Sequence, residues 1–333
     1  MSPLVSVVLP FHNAERTLLS SIRSVLDQTH KNIEVILVND GSNDRSLDVL
    51  SRINDTRIIV LSQANAGPSC AANAGFKYAH GEYVALIDSD DLWAPNKLER
   101  HLNHFSERPE VGVSFNYSQF IDQEGNPLNY FQRPKLTNIT PRDLLCHCPV
   151  SNGSTGILRK KVLDAIEFSY NGSCAFADPR TTLAHDLEMW LRIGVATSWI
   201  IEGIPEILSY YRISKESYSS SFYLKLSSLE TTRPIIERYA RDLVQTTWSA
   251  AVAYQCRYLA RRALYSGLRF APLHYALLAI RKYPYILFED PRRTLSTLTC
   301  SLARPLIPSS VWKQLLSFLK IIHTAPTKIK EDL

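Results

Sequence analysis

The first part of the chain alternates between short apolar runs and amphipathic runs, and this alternation constrains the fold more than any other feature. Segments with helical spacing of apolar residues separate the apolar runs, the first of them beginning at Asn13. Strands that alternate with helices predict a mostly parallel sheet covered by helices on both faces, and therefore an α/β fold. The apolar runs of strand length occupy residues 4–10, 33–38, 57–61 and 83–87.

The remainder of the chain is irregular to about residue 211 and helical beyond residue 227. The irregular part predicts a strand at 111–115, helices near 160–166 and 185–193, and a loop up to residue 182. We place a boundary near Leu226. This predicts a domain at 1–226, with halves 1–110 and 111–226, and a separate helical region at 227–333.

Composition excludes several classes of protein and reveals an uneven charge. The chain has 333 residues, of which 45% are apolar and 21% charged, so a disordered chain, a collagen and a disulfide scaffold are excluded. Residues 1–230 carry 21 Lys+Arg and 26 Asp+Glu, whereas residues 231–333 carry 16 and 6. No apolar run approaches the roughly 20 residues of a spanning helix. The six scattered cysteines predict reduced thiols in the cytoplasm.

Three acidic residues follow the fourth predicted strand, where ligands of parallel sheets bind. These residues are Asp88, Asp90 and Asp91, with Ser89 between the first two. Carboxylates that lie this close together repel one another unless a cation or water intervenes. Oxygen ligands select a hard divalent ion such as magnesium or manganese, completed by water and a diphosphate. The alternative interpretation is an acidic turn that caps the next helix.

Two further clusters follow the second and third predicted strands. Asp40 precedes Gly41, so its carboxylate can reach a ligand through a tight turn, although an ordinary solvated turn has the same sequence. Asn65 and Gly67 begin a helix that continues through Asn73, and its amino terminus offers N–H groups to a phosphate. Simple helix initiation is the alternative interpretation.

Together these clusters resemble the nucleotide-sugar-binding half of the family 2 glycosyltransferases, which have the GT-A fold. The resemblance covers roughly residues 4–215 and implies the acceptor half at 111–226. It implies transfer of a sugar from a uridine diphosphate sugar to a hydroxyl of a glycan or lipid-linked acceptor, as in bacterial cell-surface polysaccharide synthesis. The matching stretches are residues 5–13, 38–44, 65–75 and 81–91.

The resemblance also implies roles for individual residues. Asp90 would ligate manganese or magnesium on the diphosphate. Asp186 would be the base that deprotonates the acceptor hydroxyl, opposite the leaving group, with inversion at the anomeric carbon; a helix-initiating acidic residue is its alternative interpretation. The residues implied to contact the donor are Pro10, Phe11, Asn13, Asp40, Asn65, Gly67, Asn73, Asp88, Ser89 and Arg212.

Four positions depart from the family pattern. Asn39 replaces a common Asp, Ala72 a frequent Arg, and His185 the Glu beside the predicted base. Ser214 stands where a His near the diphosphate is common, and Arg212 offers a positive charge instead. The Gln-x-x-Arg-Trp signature of processive members is absent, which favours addition of a single sugar.

Other classes of function remain as alternatives. A non-catalytic nucleotide-sugar-binding protein of the same fold has the same motifs, while a sugar nucleotidyltransferase lacks support because no Gly-rich loop follows the first strand. The basic segment 231–333 predicts either peripheral binding to an anionic membrane on its cytoplasmic side or internal packing of an apolar stripe that starts at Trp312. We expect no nucleic-acid binding.

Overall fold

The structure is a computed structural model of the chain and describes residues 2–150, 152–171, 173–181, 185–213, 222–312 and 314–315. The predicted contributions of Ser214 and of the tail beyond residue 315 lie outside these residues, as does the side chain of His185.

A mixed sheet forms the centre of the molecule, in the order β3-β2-β1-β4-β8-β6-β11-β5, with β7 paired to β6. β3, β2, β1 and β4 run parallel to one another, as the sequence predicts. β8 is antiparallel to β4 and β6, while β11 is parallel to β6. The strands are β1 (Val5–Phe11), β2 (Ile33–Asp40), β3 (Ile58–Gln63), β4 (Tyr83–Leu86), β5 (Leu92–Trp93), β6 (Val111–Ile121), β7 (Pro127–Gln132), β8 (Ile157–Arg159), β9 (Phe168–Tyr170), β10 (Ser173–Ala175) and β11 (Ile200–Arg212).

Helices cover both faces of the sheet and continue into a helical carboxyl-terminal part. Among the described residues, no helix is both long and apolar enough to cross a membrane. The helices are α1 (Leu18–Leu26), α2 (Ser46–Leu50), α3 (Pro68–Tyr78), α4 (Lys97–Glu107), α5 (Pro141–His147), α6 (Lys160–Ala165), α7 (His185–Ala196), α8 (Phe222–Ile236), α9 (Arg241–Tyr265), α10 (Ala271–Lys282), α11 (Ile286–Glu289) and α12 (Pro291–Ala303).

The middle of the chain contains more strand than its sequence predicts. The expected loop before residue 182 contains the hairpin β9–β10, and the strand expected at 111–115 extends to Ile121. β11 was not predicted because Gly203 and Pro205 interrupt its apolar pattern. Pairing with β6 compensates for the low strand preference of these two residues, and the register of this pairing shifts on both sides of Ile207.

The carboxyl-terminal helices share a hydrophobic core with the sheet. One core cluster combines Val8 and Phe115 of the sheet with Leu144 of α5 and Trp248 of α9. The predicted boundary at residue 226 falls inside α8. The division into a domain and a helical region therefore stays a proposal, and the described residues on its two sides pack against each other.

Candidate functional site

The carboxylate of Asp40 organises the carboxyl end of β2. Its Oδ1 accepts hydrogen bonds from the Gln63 side chain at 2.7 Å and from the amide of Ala66 at 2.9 Å, while Oδ2 accepts from the amide of Gly67 at 2.9 Å. The two amides that precede α3 thus donate to Asp40, and the predicted contact of a phosphate with the amino terminus of α3 stays a prediction. Gly41 has φ +70°, and a Cβ there would lie 2.7 Å from the Asn65 amide nitrogen.

Asn13 holds the next loop at the same edge of the sheet. It adopts φ 51°, a left-handed conformation that Asn tolerates, and its Oδ1 accepts from the Asn43 amide at 2.9 Å. The neighbouring His12 ring contacts both the Asp40 carbonyl, at 2.8 Å from Nδ1, and the side chain of Asn65. The structure therefore brings Asn13, Asp40 and Asn65 together as predicted neighbours.

Successive residues of β1 face opposite sides of the sheet, and this separates Pro10 from Phe11. Phe11 is buried with Val7 and Leu9 in the core cluster that includes Leu18 of α1. Pro10 is only half-buried at the strand end. A nucleotide could thus contact the ring of Pro10, whereas the side chain of Phe11 belongs to the core.

The acidic segment after β4 is anchored by Asp91. Its Oδ2 accepts a hydrogen bond from Ser154 Oγ at 2.6 Å, and its Oδ1 accepts from the Arg212 amide at 3.0 Å. Ser154 Oγ also accepts from the Asp88 amide at 3.0 Å. Asp91 is fully buried, so this carboxylate fixes the segment and leaves Asp88 and Asp90 to face the site.

Asp88 and Asp90 lie in an environment that penalises negative charge. Burial, and then the charges of Asp90 and Asp186, raise the pKa of Asp88 to about 7. Burial also raises the pKa of Asp90, although its own amide and the charge of Arg212 oppose this shift. A Cβ on Gly153 would lie 3.7 Å from an Asp88 carboxylate oxygen, so the turn approaches this carboxylate closely.

Arg212 binds the acidic segment through the backbone. Its Nε donates to the Asp90 carbonyl at 2.7 Å, and its Nη1 donates to the carbonyls of Asp122 and Gln123 at 3.0 and 2.7 Å. The side chain is therefore buried among carbonyl oxygens beside Asp90. A direct contact between Arg212 and a diphosphate stays a prediction. Ser89 joins the same segment to α1 by accepting from Ser21 Oγ at 2.9 Å.

Sequence reasoning missed a buried lysine that supports this segment. Lys97 of α4 is fully buried, and its Nζ donates to Asn116 Oδ1 at 2.5 Å and to the Thr155 carbonyl at 2.9 Å. Burial holds the pKa of Lys97 well below its usual range. Thr155 follows Ser154 in the chain. Lys97 therefore fixes the turn whose Ser154 side chain binds Asp91. The Gly/Ser-rich stretch at 151–156 was the only signal in the sequence.

Asn73, predicted to contact the donor, joins α3 to the acceptor half. Its Oδ1 accepts from the amides of Phe176 and Ala177, both at 2.9 Å, and its Nδ2 donates to the Ala177 carbonyl at 2.7 Å. Ser69 donates to the Thr181 carbonyl at 2.9 Å. These bonds engage the Asn73 amide with the backbone before α7, and its contact with a donor stays a prediction.

Asp186 lies in the first turn of α7, close enough to the acidic segment for its charge to raise the pKa of Asp88. Its Oδ1 accepts from the Leu187 amide at 2.8 Å. Two turns of α7 are fixed by the buried ion pair between Glu188 and Arg192, with 2.6 Å between Oε2 and Nη2. The structure therefore brings the predicted base and the predicted donor carboxylates to one site.

The acidic site has the composition for a cation that substrate oxygens also ligate. Among the described residues, no group of three or more His, Cys, Asp or Glu side chains has the arrangement of a complete metal site. Magnesium and manganese commonly bind through one or two carboxylates and a substrate phosphate. Asp88 accepts no hydrogen bond from another side chain within the described part of the chain. The residues present thus fit such an ion.

Comparisons with relatives extend this picture. The chain is 33% identical over 222 residues to the putative teichuronic acid biosynthesis glycosyltransferase TuaG of Bacillus subtilis, covering 66% of this chain and 82% of TuaG. It is 31% identical over 225 residues to Escherichia coli WfgD, covering 67% of this chain and 82% of WfgD. WfgD is named a UDP-Glc:alpha-D-GlcNAc-diphosphoundecaprenol beta-1,3-glucosyltransferase. The chain spans about half, 51%, of an uncharacterized glycosyltransferase of Haemophilus influenzae, with 40% identity over 129 residues.

Solved structures share the architecture. The S. aureus TarS 1-349 complex with UDP-GlcNAc has a TM-score of 0.54 at 17% identity, covering 90% of each chain. The mannosyltransferase PcManGT from Pyrobaculum calidifontis, in complex with GDP-Man and Mn2+, has a TM-score of 0.55 at 17% identity, covering 92% of this chain and 88% of PcManGT. At these identities the likeness shows the fold, and it confirms the predicted GT-A architecture.

The family is shown by the sequence itself. Residues 6–167 match the sequence profile of glycosyl transferase family 2. The matched residues contain Asp40, Asp88 and Asp90, while Asp186 lies beyond them. With relatives above 30% identity that align over most of their own length, the predicted resemblance is confirmed, and this chain belongs to glycosyl transferase family 2.

Proposed function

We propose that this enzyme transfers one sugar from a uridine diphosphate sugar to a hydroxyl of a lipid-linked glycan, with inversion at the anomeric carbon. The observation that carries the proposal is that Asp186 of α7 lies near enough to Asp88, which follows β4, for its charge to raise the pKa of Asp88. This proximity supports a site in which a proton acceptor and the donor carboxylates act together. The activity for which WfgD is named, with a UDP-sugar donor and a diphosphoundecaprenol acceptor, supports the choice of substrates.

The donor side is formed by the loops at the ends of β1 and β2. Pro10 offers an apolar ring beside the Asp40 region, where the base and ribose would bind. Asp40 keeps the loop between β3 and α3 closed through its three hydrogen bonds. This carboxylate already accepts three hydrogen bonds, so we assign it the role of maintaining the shape of the nucleotide pocket. Asn13 and Asn65 would lie at the rim of that pocket.

The diphosphate would lie against Asp90 and Asp88. Asp90 would hold manganese or magnesium there, and the bound ion would stabilise the negative charge that develops on the departing diphosphate. Asp90 is supported by Arg212, which donates to its carbonyl oxygen and whose charge opposes the rise in the pKa of its carboxyl group that burial causes. The solved complex of PcManGT with GDP-Man and Mn2+ supports the choice of manganese.

Asp186 would accept the proton of the acceptor hydroxyl. Its Oδ1 is engaged with the Leu187 amide, so Oδ2 is the oxygen that receives the proton. The ion pair between Glu188 and Arg192 restrains α7 behind it, which keeps the carboxylate at one position during the reaction. General base catalysis of this kind contributes roughly 10²–10⁴-fold in rate.

We place the reaction at the cytoplasmic surface of the membrane, because a lipid-linked acceptor is held there and the carboxyl-terminal part is basic. Residues 243–330 contain 13 Lys+Arg and only two acidic residues, Glu289 and Asp290. Such a charge is attracted to anionic lipids.

The test compares Asp90→Asn and Asp186→Asn with Asp48→Asn, an exposed carboxylate on α2, in the full chain. Uridine diphosphate release is measured with a panel of donors and undecaprenyl-diphosphate-linked acceptors, with manganese and with a chelator. We expect each site variant to lose on the order of 10²-fold or more of kcat at an unchanged melting temperature, and the control to keep its activity. Wild-type turnover in either site variant would remove that residue from the proposal.

A further inference from the structure

Helix α12 buries polar side chains and exposes large apolar ones. Its buried face carries the hydroxyl side chains of Thr294, Thr297 and Ser301, whereas Leu295 and Leu302 are 49% and 51% exposed. Thr294 donates to the Ile286 carbonyl at 3.0 Å, so this buried hydroxyl has a partner. Leu295 and Leu302 are seven residues apart and therefore lie on the same side of the helix. Two of the large apolar side chains of α12 thus face outward.

The segments on either side of α12 also carry exposed apolar side chains. Phe288 of α11 is 80% exposed, and Leu306, in the 3-10 turn that follows α12, is 84% exposed. We call Phe288, Leu295, Leu302 and Leu306 the C-terminal apolar face. Large apolar side chains at this exposure, concentrated within 19 consecutive residues, are typical of a surface that binds a partner.

The charge around this face is positive. Arg281 and Lys282 are exposed at the end of α10, and Arg293 is exposed in the first turn of α12. The two acids of the region are neutralised elsewhere: Glu289 pairs with Arg142 at 2.9 Å, and Asp290 pairs with Arg257 at 2.8 Å. Exposed apolar side chains framed by cations match the apolar and anionic layers of a lipid bilayer surface.

We propose that the C-terminal apolar face docks on an anionic bilayer, with its four apolar side chains in the headgroup region. This inference rests on the proposed function, because docking would bring the acidic site to a lipid-linked acceptor. A second copy of the chain fits the face less well. An isologous contact would bring the arginines of both copies together without acidic partners, which disfavours it electrostatically.

The experiment measures binding of the full chain to vesicles of phosphatidylglycerol mixed with phosphatidylcholine, and to vesicles of phosphatidylcholine alone, by sedimentation. The double variant Leu302→Ser, Leu306→Ser is compared with the double variant Leu47→Ser, Val60→Ser. The control removes two apolar side chains, each 46% exposed, from the amino-terminal part. We expect the first variant to bind anionic vesicles about tenfold more weakly or worse, and the control to bind like wild type.

A charge variant makes the test independent of folding defects. Arg281→Gln with Arg293→Gln should weaken binding by about fivefold per arginine and reduce its salt dependence. Three results would overturn the inference: wild-type protein that ignores anionic vesicles at low salt, loss of binding only when residues 316–333 are deleted, or a wild-type dimer that Leu302→Ser dissociates. Uridine diphosphate release with a detergent-solubilised acceptor is measured in parallel. Because that assay needs no bilayer, it reports failure of the proposed function separately.

Discussion

Replacement of Asp40 by asparagine tests whether this carboxylate holds the donor loop. The carboxylate accepts from Gln63, Ala66 and Gly67, and two of these three donors are backbone amides that cannot be reoriented. An asparagine side chain has one oxygen and one NH2 group. If the oxygen faces Ala66, the NH2 group meets the Gly67 amide 2.9 Å away, and the reverse orientation directs it toward Ala66. Either way one backbone N–H group faces another donor.

The expected cost follows from this geometry. One partly buried amide loses a charged acceptor and gains a repulsive neighbour, which costs about 2 kcal/mol of unfolding free energy. Urea denaturation of Asp40→Asn measures this loss, with Asp48→Asn as the matched exposed control. Calorimetric titration with uridine diphosphate and manganese should also show weakened binding, since the loop between β3 and α3 is released. An Asp40→Asn protein within about 0.5 kcal/mol of wild type would refute the reasoning, because a backbone N–H group cannot exchange its acceptor for another donor without cost.

Three further predictions address the neighbouring residues. The raised pKa of Asp88, about 7 in the fold against 3.8 ordinarily, means that the folded protein binds this proton more tightly than the unfolded chain. Metal-free wild type should therefore lose stability relative to Asp88→Asn as pH rises from about 4 through about 7, by on the order of 2–4 kcal/mol, in urea titrations over that range; identical pH profiles would contradict the shift. Lys97→Met should cost about 2–4 kcal/mol, because two buried oxygens lose their donor, whereas the exposed Lys77→Met should cost little; equal melting curves would refute this. Asn73→Ala should lower kcat/KM for the acceptor while the Kd for uridine diphosphate is unchanged, and a weakened donor Kd would instead favour its predicted contact with the donor.

The parallel half of the sheet could be predicted because each strand is a short, continuous apolar run with a polar residue at its end. The end of β4 at Leu86, followed by Asp88, is an example in which periodicity and chemistry agree. β11 could not be predicted because Gly203 and Pro205 obscure its pattern, and its pairing with β6 depends on residues some 90 positions away. Long-range pairing of this kind has no local signal.

The residues of the candidate site also include some that the sequence predicts and some that it does not. Asp90 and Asp186 are predicted from motifs that resemble those of the family, and their roles stay predictions. Lys97 and Ser154 act through the fold, and each supports the carboxylates from an element distant in sequence. Single-sequence reasoning finds the residues that carry charge in a motif, and misses those whose hydrogen bonds exist only after the sheet has formed.

The shared core of α5 and α9 limits how this enzyme can be recombined with its relatives. Leu144 and Leu145 of α5 pack in one cluster with Trp248 and Val252 of α9. A chimera joined between residues 213 and 222 would combine an α5 from one parent with an α9 from the other, and the two surfaces would not match in shape. Exchange of the carboxyl-terminal helices therefore requires that α5 be exchanged with them, so the two parts would evolve as a linked unit.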